Sequence, residues 1–267
     1  MSDQPLGRSA WQGEEYEPSA AHHRLADDWF LARHPPGPSE VVIDGGCGTG
    51  EFTARLAELV PDGSVIGVEP DRSMLEQAMT RSGPNLSFRE GRLQELDAVC
   101  EAASADLVVS RAVFHWIALA DYLPSYLAVR RVLRRGGWFH AESGGAGNVA
   151  RVTALLDDIA AGHGLGPASV TFPDAGTVME VLEQADLSIP EGGVTTVAQR
   201  RGFDHDQLLA FVRTQASVAY VPDAEPPIRD AFLGEVAERI DELRHHDGSF
   251  DQTFVRLHVL AQRPDRP

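Results

Sequence analysis

The residues with the clearest chemistry are an acid closing an apolar run, three glycines at alternate positions and a second acid nineteen residues on. They are Asp44, Gly46, Gly48 and Gly50 in "VVIDGGCGTGEF" (41–52), and Glu69 in "SVIGVEP" (64–70). Glycines so placed let backbone approach a ligand closely. A dinucleotide fingerprint is G-x-G-x-x-G; counted from Gly46, its third glycine falls on Glu51. An acid in the first turn of the following helix repels phosphate, where the helix dipole alone would attract it. The loop therefore favours a ligand without phosphate, with a cationic or zwitterionic part near Asp44 and Glu51. Glu69 ends the next apolar run, where an acid accepts hydrogen bonds from two ribose hydroxyls. Together these residues suit a nucleoside that carries an amino acid.

Composition narrows the chemistry further. The chain contains no lysine, so all 23 residues counted as Lys and Arg are arginine. A phosphate-binding Gly-Lys-Ser/Thr loop and a Schiff-base lysine are both excluded. The net charge of −17 opposes nucleic-acid binding through phosphate repulsion. Two cysteines, Cys47 and Cys100, offer no disulfide framework and no metal spacing, so no metal is expected. No run approaches the roughly 20 apolar residues of a membrane helix, and the polar start "MSDQPLGRSAWQGEEYE" does not read as a secretory signal; a cytoplasmic protein is expected. With 267 residues, 43% of them hydrophobic, the chain can bury one large core.

The elements that must hold these residues alternate. Residues 11–34 read as a loop and an amphipathic helix with Ala21, Leu25, Trp29 and Phe30 on one stripe, stopped by "PPGP" at 35–38. Strands are expected at 41–44, 64–69, 86–90, 106–111 and 138–143, with helices at 51–60, 72–81 and 121–134 between them. The strands are apolar without clean alternation, as in a parallel sheet covered on both faces. Residues 147–163, 174–186, 204–218 and 226–246 read as helices, and 193–203 and 253–262 as two late strands able to pair antiparallel at one sheet edge. The expected fold is α/β: a Rossmann-like, seven-stranded, mostly parallel sheet flanked by helices, with a helical cap at roughly 144–186 and 204–246. The expected division is an N-terminal cap segment (1–40), a cofactor-binding core (41–143) and the rest of the sheet with the helical cap (144–267).

"VVIDGGCGTG", "VIGVEPDRSMLEQA", "ADLVVSRAVFHWI" and "RRVLRRGGWFHAES", in that order over residues 41–143, resemble a class I S-adenosylmethionine-dependent methyltransferase. The opening "WQGEEYEPSAAHH" and the ending "FVRLHVLAQRP" resemble the trans-aconitate methyltransferase branch. The resemblance implies S-adenosyl-L-methionine as cofactor. Asp44 and the loop of Gly46, Cys47, Gly48 and Gly50 would hold its methionine part. Glu69, with Pro70, would take the ribose, Met74 would pack on adenine, and the backbone at Arg92 and Leu93 would face the adenine edge. Ser110 and His23 complete the implied cofactor set. Two departures stand out. Arg92 occupies the place where the family usually has an aspartate for the adenine amino group, leaving Gln94 or Glu95 as replacements. Gly45 stands where a bulkier apolar residue is usual.

The segment after the fourth strand should border the reacting methyl, because ligands sit at the carboxyl ends of strands in open α/β sheets. There Arg111 could grip a substrate carboxylate or bridge to a helix, and His115 could be a general base or an orienting group. Tyr16, His22 and His23 lie on a segment that in this family folds over the cofactor, and Tyr16 joins His115 and Arg111 as a catalytic candidate. Glu142 could approach substrate; Arg256 and His258 share one face of the last strand. His245, His246 and Asp247 read as a helix end. These residues point to methylation of a small-molecule acceptor, to oxygen and possibly on a carboxylate, by a monomer or homodimer. The alternatives are N- or C-methylation of a secondary metabolite and a noncatalytic cofactor-binding protein.

Overall fold

The structure, a computed structural model, describes residues 21–222 and 224–265, with side chains described from Asp27 onward. Helix α1 (Ala21–Arg33) leads into β1 (Val41–Gly45), α2 (Glu51–Leu59), β2 (Ser64–Glu69), α3 (Arg72–Met79) and β3 (Leu86–Glu90). A 3-10 turn (Leu93–Glu95) runs into α4 (Leu96–Val99), followed by β4 (Ala105–Arg111), a second 3-10 turn (Phe114–Trp116), α5 (Tyr122–Val132) and β5 (Leu133–Gly144). Then come α6 (Ala150–Gly162), α7 (Ala175–Gln184), β6 (Val194–Arg201), α8 (His205–Phe211), a π turn (Val212–Ala216), α9 (Pro226–Arg239) and β7 (Gln252–Gln262).

The strands form one seven-stranded sheet in the order β3-β2-β1-β4-β5-β7-β6. Strand β1 pairs parallel with both β2 and β4, while β7 runs antiparallel to β5 and β6. Strand order turns back between β1 and β4, so the carboxyl ends of these two strands open the crevice where such sheets bind ligands. Apart from their edge positions, β1 and β4 are buried, which is why their sequences are continuous apolar runs.

One apolar layer packs Phe30 of α1 and Leu56 of α2 against Val42 and Leu107 of the sheet. On the other face, Val129 and Val132 of α5 pack with Val178 and Leu182 of α7. Helix α7 thus flanks the sheet and is not part of the cap expected at 144–186. A separate apolar cluster joins α6, α8 and α9 through Leu156, Leu208, Phe232 and Val236, and this is the cap. Three local readings shift. Residues 204–218 are not one helix but α8, the π turn and a 3-10 turn; the helix expected to reach 246 ends at Arg239; and on α1 Leu31 is buried while Trp29 is 40% exposed. Among the described residues no helix is long and apolar enough to cross a membrane.

Candidate active site

The loop after β1 is held by its own backbone. Gly46, Gly48 and Gly50 all have positive φ, at 79°, 56° and 78°, a region that costs other residues strain. At Gly46 a Cβ would meet Val113, and at Gly50 it would meet Phe88. The N–H groups of Gly46 and Cys47 both donate to the Val68 carbonyl (2.7 and 3.1 Å), that of Gly50 to the Cys47 carbonyl (3.0 Å), and that of Gly48 to Glu69 Oε2 (2.9 Å). Four amide donors that a phosphate loop would aim at its ligand are therefore spent within the fold, three on β2 and one inside the turn. What the loop offers instead is acceptors.

Two carboxylates dominate those acceptors. Asp44 is 2% exposed, and its Oδ2 accepts from Thr53 Oγ1 at 2.7 Å. Glu69 is 8% exposed and accepts from the N–H groups of Gly48 and Asp71. Neither is ion-paired to a cation among the described residues. Burial pushes Asp44 up to about 6 and Glu69 to about 7, and the charge of Asp44 contributes to the rise at Glu69.

Helix α3 begins beside Glu69, capped by Asp71, which accepts from the N–H groups of Ser73 and Met74. Met74 is thereby fixed in the first turn and buried, and Pro70 stands half-buried between the acid and the cap. Arg92 is exposed at the start of the 3-10 turn, while Leu93 is buried and fills the space beside Gly45: a Cβ there would lie 2.2 Å from Leu93 Cδ1. The unusual glycine at 45 is thus the partner of Leu93. Gln94 is half-buried and Glu95 exposed on the same turn.

Four of the expected site residues have partners within the fold. Ser110 is fully buried and donates to the Gly45 carbonyl at 2.8 Å, tying β4 to β1. The Cys47 side chain sits in the apolar layer, its thiol pushed far up by burial, so the loop contributes backbone there and not sulfur chemistry. Arg111 is not open to a substrate carboxylate. It pairs with Asp27 on α1 and lies over the rings of Phe30 (5.3 Å) and Phe52 (4.9 Å). His115 is not poised as a base: its Nδ1 accepts from the Gly144 N–H at 3.3 Å, and burial beside Arg256 pushes its pKa down to about 3. The neutral ring then carries its proton on Nε2, the remaining hydrogen-bonding atom. Tyr16 and the side chains of His22 and His23 lie outside the described residues.

His115 lines a cavity of about 100 Å³ between the carboxyl end of β4 and the cap. Its walls come from distant stretches: Val149 and Leu156 around α6, Phe172 on the loop before α7, Phe211 and Gln215 around the π turn, and Phe254 and Arg256 on β7. Arg256 is its ionised side chain, with Glu142 Oε1 at 3.6 Å, beyond hydrogen-bond distance. His258, on the same face of β7, is instead buried beneath α1 with the Trp29 ring 4.3 Å away. Among the described residues no cluster could hold a metal ion, and His245 bonds Arg151 and the Asp251 carbonyl.

A family profile described as a methyltransferase domain matches residues 42–137, the stretch from the glycine loop to the start of β5. The chain carries an S-adenosylmethionine-dependent methyltransferase domain. It is similar to the trans-aconitate 2-methyltransferase of Methylobacterium radiotolerans, at 29% identity over 88% of this chain and 91% of that one. It is also similar to the enzyme of the same name from Deinococcus radiodurans, at 39% identity, over 39% of this chain and 37% of that one. The fold resembles a geranyl diphosphate methyltransferase solved in complex with S-adenosylmethionine, with a TM-score of 0.55 at 18% identity, over 97% of this chain and 93% of that one.

The residues of this methyltransferase fit S-adenosylmethionine by their donor and acceptor balance. The cofactor brings an ammonium, a sulfonium and ribose hydroxyls. The loop and the end of β2 present two buried carboxylates that are not ion-paired among the described residues, and the loop amides bond within the fold. Sequence reasoning missed Thr53, which holds Asp44, and Asp27, which engages Arg111. A threonine nine residues beyond the acid, in the first turn of α2, was a visible signal for the first. An acid on the apolar stripe of α1 was the signal for the second.

Proposed function

We propose that this methyltransferase alkylates an oxygen of a small-molecule acceptor, and that the oxygen belongs to a carboxylate. The observation that carries this reading is the pairing of an arginine with a non-basic histidine in the acceptor cavity. Arg256 has no hydrogen-bond partner among the described residues, and His115 offers an N–H and no free lone pair. A carboxylate is already ionised at neutral pH and needs no base; a phenol or amine benefits from one. The similarity to enzymes named trans-aconitate 2-methyltransferase supports the same reading.

When bound, the cofactor supplies a methyl group already activated on a sulfonium. The protein's own part is placement and water exclusion. In this reading Asp44 and the loop backbone orient the amino-acid part, Glu69 takes the ribose hydroxyls, and Met74, Leu93 and the Arg92 backbone border the adenine. Arg256 and His115 Nε2–H orient the acceptor oxygen, and the cap keeps water from it. Arg111 and Asp27 hold α1 against the strand ends that frame this cleft.

The test is the chemical nature of the product. With radiolabelled methyl donor and a panel of small acids, phenols and amines, the labelled product should release methanol on mild alkaline treatment, as a methyl ester does. A base-stable product, whether ether, N-methyl or C-methyl, overturns the carboxylate assignment. Exchange of S-adenosylmethionine for NAD in a binding titration should abolish the heat of binding.

A further inference from the structure

We infer that the acceptor is a monocarboxylic acid with an apolar body, and not a polycarboxylate; this rests on the carboxylate reading above. The cavity lining is mostly apolar. Among the described residues, Arg256 is the one lining side chain that carries a charge, and His115 Nε2–H is a further donor. Asn148 Oδ1 accepts from the Val255 N–H (3.0 Å), and the Tyr220 hydroxyl donates to Asp157 Oδ1 (2.7 Å). Carbon surfaces make up much of the wall: Leu156, Val170, Phe172, Phe211 and the Phe254 ring, over which Arg256 itself lies at 5.4 Å.

Charge accounting among the described residues opposes a second and third carboxylate. Glu142, 4% exposed and 3.6 Å from the Arg256 guanidinium, already shares its charge, so Arg256 can hold one carboxylate through its N–H groups and has no positive charge left for another. A second carboxylate would be buried with no second cation among the described lining residues, which costs more than an apolar group in the same place. An apolar body gains instead, by roughly fourfold in affinity for each buried CH₂. The same cavity floor that selects a carboxylate thus selects, through its walls, what the carboxylate is attached to.

The experiment uses the full chain with S-adenosylmethionine and measures kcat/KM by S-adenosylhomocysteine release. Butanoate, hexanoate, octanoate and 3-phenylpropanoate form the apolar series; trans-aconitate is the tricarboxylate; hexylamine and 3-phenylpropanol carry the same bodies without the acid. The expected result is a rise of about fourfold per CH₂ until the cavity fills, with trans-aconitate at least tenfold below the best monoacid. Val170, half-buried on the loop before α7, gives a wall variant: Val170→Arg should improve trans-aconitate relative to octanoate by about tenfold with cofactor affinity retained. Equal or better turnover of trans-aconitate, or a flat alkyl series, overturns this inference and leaves the carboxylate assignment standing. Methylation of the amine or alcohol alone overturns both.

Discussion

The proposed cofactor side and the proposed acceptor side of the cleft are built by different rules. On that first side the shape is a property of consecutive backbone: three glycines with positive φ, three amides bonded to β2 and a fourth bonded within the loop. On the acceptor side no stretch is special by itself. Side chains from α6, the loop before α7, the π turn and β7, spread from Val149 to Arg256, meet only in the folded molecule. A backbone site demands particular residue types at fixed spacing, because only glycine adopts those angles without strain. A composite surface demands only that the sum of its walls have the right polarity, which many sequences satisfy. The first rule leaves a motif; the second leaves none.

The largest expected effect tests the seam between the two sides. Asp27 and Arg111 are each 9% exposed by side chain and join α1 to the end of β4. Asp27→Ala strands a buried guanidinium and should cost about 3 kcal/mol of stability, read as a fall in chemical-denaturation midpoint. A loss below 1 kcal/mol would mean that α1 is not anchored by this pair. Next, Glu69→Ala should weaken cofactor binding about 100-fold, at roughly 1.5 kcal/mol for each charged hydrogen bond lost, in calorimetric titration. If Asp44→Ala and Glu69→Ala both leave affinity unchanged, the backbone side of the comparison fails.

Arg256→Met keeps the bulk and removes the charge. It should lower kcat/KM for an acid acceptor by about 30-fold, on the scale of a charged hydrogen bond, while cofactor affinity stays within twofold. An equal loss in both would show that the two sides are one site energetically. The smallest effect is with pH. Asp44 and Glu69 titrate near 6 and 7 in the free protein, and a cation or hydroxyl donor binds their ionised forms. Cofactor affinity should therefore rise about fivefold from pH 6.5 to 8, with proton release measurable near pH 6.5. In the cofactor-free protein the sign reverses for folding: these raised carboxyls favour the folded state fully below about pH 4, where the unfolded groups are protonated too, and that contribution is lost as pH rises through 6 to 7. A flat affinity profile would mean that the carboxylates are not the ligand's partners.

Most of the sheet was legible because buried parallel strands are apolar runs separated by glycine and proline, and the order β-α-β repeats along the chain. The late strands were legible for the same reason, including their antiparallel pairing. Helix α7 was misread as cap because its amphipathic pattern gives a face but not its partner; Val178 and Leu182 turn that face to α5 and the sheet. The break after α8 was invisible because a π turn uses the same residue types as a helix and differs only in hydrogen-bond register.

The site divides along the same line. Sequence alone determined the glycine turn and its acids: alternate glycines force the turn, Glu51 and the absent lysine disfavour phosphate partners, and Glu69 ends the strand after it. Only the tertiary structure decided the roles of Arg111, Ser110 and His115. A side chain's chemistry depends on what lies opposite it, and here the partners are Asp27, Gly45 and Gly144, each far away in sequence. The same is true of Arg256. It becomes a candidate acceptor group because β7 returns antiparallel beside β5 and sets it in the lining of a cavity that no local pattern encodes.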